Sequence, residues 1–285
     1  MLEKKQLKSI QDYLIQVADG NLDSRLLLPP GSDVKLIAIQ AGIDMLVEEL
    51  RSTKEQLQNK NDELNLFIYK ASHDLKSPVS SMMGIMSLLK KTQNNKEVKT
   101  YIKMMEECIN KSNTIVNDLL MLGRITYNEL KYEEIDFKTM IDDILSSITH
   151  VDGFKDINFN IVIDDQPKSI LTEKGLIQTV ILNLIENSIK YRKDSVGHSY
   201  IKINVSYRDK GIVIKIEDNG IGIKKSLQAN IFEMFYRATL KSKGSGFRLY
   251  IVKKIMTKLG GTISFESTLH KGTTFNLYIP YKQIT

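Results

Sequence analysis

The chain has 285 residues, of which 42% are hydrophobic and 26% charged, with a formal net charge of +6 at pH 7. These are the values of a soluble globular protein, and the length is enough for two or three modest domains. A single cysteine, Cys108, excludes a disulfide framework and a cysteine-rich metal site and suits a reducing cytoplasm.

Residues 1–18 read as a short amphipathic helix, with Leu7, Ile10, Leu14 and Val17 at three- and four-residue spacing. The charges in M1-L-E-K-K-Q-L-K-S leave no apolar centre for a secretory signal. Gly20 ends this helix, and the stretch from Gly20 to Gly31 reads as an extended connector, because Pro29 and Pro30 exclude helix. Apolar periodicity resumes at Leu36, Ile39, Ile43, Leu46 and Leu50 and runs on through Leu57, Leu64, Ile68, Ala71 and Leu75. A near-heptad stripe of this length predicts a coiled coil feeding a helical bundle. A second copy of the chain is expected to cover it, giving a homodimer.

Pro78 falls within the stripe, which continues at Met82, Ile85, Met86 and Leu89, so a kink rather than an end is expected there. The segment T92-Q-N-N-K-E97 turns the chain, and Val98, Ile102, Met105, Ile109, Val116 and Leu119 line one face of a second helix. Two such hairpins from two chains would close a four-helix bundle. No apolar run approaches the length of a membrane span, so no transmembrane segment is expected.

After about residue 130 the pattern becomes α+β. Helices are expected over Phe137–Ile148, Glu173–Tyr191 and Ser245–Leu259, and an alternating strand over Ile157–Ile163. Tyr200–Tyr207 and Gly211–Glu217 read as a hairpin, and Gly261–Glu266 and Thr273–Ile279 as two further strands. The expected architecture is an all-α dimeric coiled coil and four-helix bundle followed by an α+β two-layer sandwich. Its boundaries are 1–54, 55–130 and 131–285.

Among the four histidines only His73 has a chemically suggestive setting. It lies two residues from both Ala71 and Leu75 of the packing stripe, roughly 200° around the helix, so it should point sideways or outward. Asp74 beside it can hold one ring N–H and leave the other nitrogen with a free lone pair, or take up a released proton. Lys76 adds positive charge for an incoming phosphoryl group.

In N183-L-I-E-N187-S-I-K-Y191, Asn183 and Asn187 share a helix face, flanked by Glu186 and Lys190. Two amide oxygens there can coordinate one hydrated Mg²⁺ bridging nucleotide phosphates, with Lys190 offsetting charge. A plain polar face has the same residues, but these asparagines interrupt an apolar run, where unpartnered amides are costly. In D218-N-G-I-G222 the glycines allow a tight fold beside a base, and Asp218 can accept the amino hydrogen of adenine. No G-x-G-x-x-G fingerprint or P-loop occurs. The positive net charge comes without a basic cluster interleaved with aromatics, so no nucleic acid partner is expected.

The segment F67-I-Y-K-A-S-H-D-L-K-S-P78 closely resembles the phosphoacceptor box of two-component sensor histidine kinases. The resemblance implies autophosphorylation of His73 from ATP, Asp74 as its acidic helper, and passage of phosphate to an aspartate on a response regulator. Ser77 stands where a Thr or Asn of that family helps position water for removing phosphate from the regulator. The D-x-G-x-G form resembles the GHKL ATP-binding fold, which implies ATP and Mg²⁺ as ligands of Asn183, Asn187, Lys190, Tyr191, Asp218, Gly220 and Gly222. I231-F-E-M-F-Y-R237 and the residues after it resemble the F box and ATP lid, with Phe232 and Arg237 implied at the nucleotide. G244-S-G-F-R-L249 resembles the phosphate-binding glycine motif through Gly244, Ser245 and Gly246, and G272-T-T resembles the final motif through Thr273. The family has glycine at the place of Arg248, whose side chain could crowd the phosphates or contact them.

The first fifty residues, with G20-N-L-D-S-R25 in the connector and G42-I-D-M-L-V-E-E-L50 in the second helix, look like a HAMP signal-relay domain. An ATP-dependent protein-histidine kinase in the cytoplasm is the leading expectation. The alternatives are an ATP-binding pseudokinase or scaffold, motivated by Arg248, and a DNA-acting GHKL ATPase.

Overall fold

The computed structural model describes residues 2–26, 28, 32–164, 170–193, 199–208, 210–236 and 246–283. Its contacts divide the chain into two compact units, Met1–Ala71 and Ser72–Thr285. In the first, helix α1 (Leu2–Ala18) is followed by a connector and by the start of α2 (Val34–Leu89). Pro29, Pro30 and Gly31, the helix-breaking residues of that connector, lie outside the described residues.

Tyr13, Leu26 and Val47 form the small core of this unit, with Ile10, Val17, Leu22, Leu28 and Ile43 packed around them. The connector is held by polar contacts from α2. Gln40 Nε2 donates to the Leu26 carbonyl at 2.6 Å, Arg51 donates to the Leu22 carbonyl, and the Arg51 guanidinium pairs with Asp23 at 3.0 Å. Outside this core α2 stays apolar and exposed at Leu46, Leu50, Leu57, Leu64 and Ile68.

α2 continues through Pro78 to Leu89 in one helix. Proline lacks an N–H, so it cannot bond the Asp74 carbonyl one turn back. The second helix of the hairpin, α3 (Asn95–Tyr127), begins where the Asn94 side chain accepts from Lys96 N–H at 2.9 Å. Ile85, Ile115 and Ile125 are buried along this hairpin.

The remaining elements are β1 (Glu133–Glu134), α4 (Phe137–Ser147), β2 (Ile157–Ile163), β3 (Ile170–Thr172), α5 (Lys174–Lys190), β4 (Ser199–Arg208), β5 (Gly211–Asp218), α6 (Arg248–Lys258), β6 (Thr262–Thr268), β7 (Gly272–Pro280) and β8 (Lys282–Gln283). Five strands form one mixed sheet in the order β2-β4-β5-β7-β6, with only the β2–β4 pair parallel. Alternation sends Ile201, Ile203 and Val205 of β4, Ile212, Ile214 and Ile216 of β5 and Phe275, Leu277 and Ile279 of β7 into the core. They meet the buried stripe of α5, including Ile177, Val180, Ile181, Leu184 and Ile185. α4 and α6 flank α5, which makes the two-layer α/β arrangement.

Two differences from the sequence reading have local causes. A second sheet, β1-β3-β8, was not anticipated, because strands of two or three residues are too short for alternation to show. α6 starts at Arg248 rather than at Ser245, a residue outside the described set. Gly246 has φ +77°, and a Cβ there would meet the Phe235 backbone at 2.9 Å, so the chain enters the helix from a left-handed glycine. At the end of α6 the Lys258 ammonium donates to the carbonyls of Ile125 and Asn128, covering acceptors left open where α3 ends. Among the described residues no helix is long and apolar enough to cross a membrane.

Candidate functional site

His73 stands on α2 with 72% of its side chain exposed, its Nδ1 3.3 Å from Asp74 Oδ1. That contact engages one ring nitrogen and leaves Nε2 as the other. Ala71 is buried and Leu75 half-buried, so the histidine lies off the packed side of the helix as its spacing predicts. Lys76 and Ser77 are exposed in the next turn, and Pro78 is buried. The Ser77 carbonyl accepts from Ser81 Oγ at 3.1 Å.

The second group of candidates gathers where α5 crosses the end of β5. Asn183, Glu186, Asn187 and Lys190 fall within about 100° of arc on α5 and are all half-buried. Neither asparagine carboxamide bonds another described residue, so both oxygens are available as ligands. Lys190 Nζ lies 4.7 Å from the centroid of the Tyr191 ring. Among the described residues no group of three or more His, Cys, Asp or Glu could hold a metal ion, so the asparagine oxygens are the donors this face offers, the Glu186 carboxylate being paired with Arg248.

Asp218 ends β5 and turns inward. Its Oδ1 accepts from Gly220 N–H at 2.9 Å and from Thr273 N–H at 3.3 Å, and its Oδ2 accepts from Ser188 Oγ at 3.1 Å. Burial pushes its pKa above the ordinary carboxylate value, while these three donors act to lower it. The loop after it is held at Ile221 by two backbone hydrogen bonds. Ile221 N–H donates to the Tyr191 carbonyl at 3.0 Å, and the Ile221 carbonyl accepts from His270 N–H at 2.7 Å. Gly222 has φ +67°, and a Cβ there would come 2.1 Å from the Thr268 carbonyl oxygen, so no larger residue fits.

Thr273 is buried, and its hydroxyl meets Ser267 Oγ at 2.9 Å. Phe232 packs edge-on against Phe265 at 5.7 Å, anchoring its segment on the sheet, and Phe235 packs on Phe247 at 4.5 Å. Arg237, Gly244 and Ser245 lie outside the described residues. Arg248 opens α6 with its Nη2 2.7 Å from Glu186 Oε2.

The fold thus brings Asn187, Lys190, Tyr191, Asp218, Gly220, Gly222 and Thr273 to one end of the β5–α5 pair, with Asn183 one turn further back along α5. Sequence reasoning passed over three residues there. Ser188 is the small polar residue in the buried stripe of α5, and its burial was the signal available. Ser267 accepts from Ile223 N–H at 2.8 Å, and Gln228 bridges the Ile223 and Ser267 carbonyls at 2.9 and 3.0 Å. Neither has a signature in sequence, because the partners are brought together only by the β6–β7 hairpin.

Residues 63–128 match the His Kinase A (phospho-acceptor) domain, and residues 172–283 match the histidine kinase-, DNA gyrase B- and HSP90-like ATPase family. The chain is 27% identical over 263 residues to the signal transduction histidine-protein kinase BarA of Escherichia coli K12, covering 85% of this chain and 29% of BarA. It therefore spans less than a third of that relative. Among solved structures, the fold is similar to that of histidine kinase ThkA in complex with response regulator protein TrrA, with a TM-score of 0.59 and 21% identity. That match covers 82% of this chain and 66% of the other. It is also similar to full-length ShkA in complex with AMPPNP, with a TM-score of 0.56 and 20% identity, over 75% of this chain and 45% of the other.

Proposed function

We propose that this chain, which carries the phospho-acceptor and ATPase domains of a two-component sensor histidine kinase, transfers the γ-phosphoryl group of ATP to its own His73 and then to an aspartate of a response regulator. The observation that carries this reading is the His73–Asp74 pair, an exposed imidazole with one nitrogen held 3.3 Å from a carboxylate. Asp74 keeps the proton on Nδ1, so that Nε2 bears the lone pair. Nε2 bonds to the γ-phosphorus as the bond from that phosphorus to the bridging oxygen breaks, and ADP leaves with the electron pair. The positive charge left on the ring is offset by Asp74, and Lys76 faces the transferred group. In the second step a carboxylate oxygen of the regulator takes the phosphoryl group, and the N–P bond breaks. That the neighbour ThkA is described with a response regulator supports this choice of partner.

The residues of the second site fit a nucleotide. Asp218 is a half-buried carboxylate whose three donors leave lone pairs for the amino group of adenine. Gly220 and Gly222 let the backbone lie close to the base. Asn183 and Asn187 would hold, through their amide oxygens, a Mg²⁺ whose charge would offset that developing during transfer, and Lys190 adds a further cation. Tyr191, Phe232, Arg237, Gly244, Ser245, Gly246 and Thr273 complete the proposed nucleotide site, and AMPPNP in the ShkA neighbour accords with it.

In this reading residues 1–54 are a HAMP-like relay, 55–130 the dimerising phosphotransfer hairpin and 131–285 the catalytic domain, acting as a homodimer in the cytoplasm. The exposed heptad-spaced Leu50, Leu57 and Leu64 support the second copy. The experiment is incubation of the chain with γ-labelled ATP and Mg²⁺. The expected result is labelled protein, with no label in His73→Gln. Equal labelling of the two would overturn the assignment.

A further inference from the structure

Arg248 departs from the glycine that its motif resembles, and its side chain lies against Glu186 of α5. Its guanidinium is bonded to Glu186 at 2.7 Å, with the two side chains 32% and 20% exposed. That distance belongs to a charge-assisted hydrogen bond. Glu186 shares the α5 stripe with Asn183, Asn187 and Lys190, the residues assigned above to metal and phosphates. A free carboxylate on that stripe would repel a triphosphate, and partial burial makes the repulsion stronger than it would be in water. Arg248 also opens α6, where a lone cation opposes the helix dipole. The carboxylate of Glu186 offsets that as well.

We propose that Arg248 is a positioning residue for the nucleotide site, acting through Glu186. It holds and neutralises a carboxylate that would otherwise face the phosphate oxygens, and it is neither a phosphate ligand nor an obstruction. The inference rests on the nucleotide reading above and adds to it the reason a glycine position can carry an arginine. It also makes the effect of Arg248 conditional on Glu186, which a steric or a direct phosphate role would not.

The test is an equilibrium titration of the whole chain with a fluorescent ATP analogue and Mg²⁺, comparing the parent, Arg248→Gly, Glu186→Gln and the double variant at two salt concentrations. Arg248→Gly should bind roughly tenfold more weakly, and added salt should shrink that deficit by screening the unpaired carboxylate. Glu186→Gln should bind no more weakly than the parent, and the double variant should return to within about twofold of it. Arg248→Lys keeps the charge with a smaller change of structure and should stay within about threefold. Binding by Arg248→Gly equal to or tighter than the parent overturns the proposal. So does a double variant as weak as Arg248→Gly, or a tenfold loss in Arg248→Lys. A parent that binds no Mg²⁺–nucleotide overturns the site reading and this inference together. A parent that binds well but shows no coupling between the two residues overturns this inference alone.

Discussion

The hydroxyl of Ser188 lies 3.1 Å from Asp218 Oδ2 and 3.1 Å from the Leu184 carbonyl oxygen. A serine has one hydrogen to donate, so the helix and the carboxylate share it. The contact joins the last turn of α5 to the end of β5 and gives the half-buried Asp218 a side-chain donor beside the N–H groups of Gly220 and Thr273. Ser188→Ala should remove that donor, raise the Asp218 pKa further and loosen its aim. Adenine recognition needs the carboxylate ionised, so affinity falls as pH drops through that pKa. The variant should therefore lose ATP affinity at a higher pH than the parent, with a loss of about three- to tenfold at neutral pH. Titrations from mildly acidic to neutral pH check both the midpoint and the offset.

Asp218→Asn should separate binding from stability. Burial raises the folded-state pKa of Asp218 above its unfolded value, so ionisation of this group opposes folding. Its relative contribution to stability is greatest below the unfolded pKa and is lost as pH rises through the folded one. At neutral pH the nucleotide-free Asn variant should be as stable as the parent or more so, and the difference should narrow on acidification. ATP affinity should fall sharply in the same variant. Thermal melts at several pH values, paired with nucleotide titration, give both readouts.

Asn187→Asp keeps the size of the side chain but places a second carboxylate on the α5 stripe proposed to face the phosphates. Autophosphorylation should drop by about 100-fold or more, while adenosine, which has no phosphates, should bind nearly as it does to the parent. The rate of label incorporation, together with adenosine titration, measures the two effects.

The exposed leucines of α2 make the assembly testable. Replacing both Leu57 and Leu64, exposed at 68% and 54%, with lysine should shift the protein from a dimer towards a single chain in sedimentation. A parent that sediments as one chain at micromolar concentration would remove the basis for the dimer.

Ile181 is fully buried where α5 meets the sheet. Ile181→Ala should destabilise the second unit by about 2–5 kcal/mol, with the spread set by how far the surroundings collapse into the gap. Chemical denaturation followed by far-UV circular dichroism measures it.

Much of this molecule was legible in its sequence because the informative residues sit in short contiguous runs. Alternation in Ile157–Ile163 gives β2 with its observed bounds, and the stripe through Val180 and Leu184 gives α5. Pro78 was readable as an interruption that does not end its helix, because the stripe resumes after it. The parts that were not legible depend on partners far apart in sequence. The Ser188–Asp218 bond needs α5 packed on β5, the Arg248–Glu186 pair needs α6 packed on α5, and β1 gains meaning only beside β3. Periodicity reports which face of an element is buried. It says nothing about which side chain on another element arrives opposite.

The order of strands in the large sheet has a consequence for biosynthesis. β7 lies between β5 and β6, yet both are translated before it. Until residues 272–280 leave the ribosome, β5 presents an open edge along Gly211–Asp218 and β6 has no strand to pair with. The same delay leaves Asp218 without the N–H of Thr273. A nascent chain halted before that point would carry a finished His73 helix and an unfinished Asp218 site, with an apolar strand edge exposed to aggregation or to a chaperone.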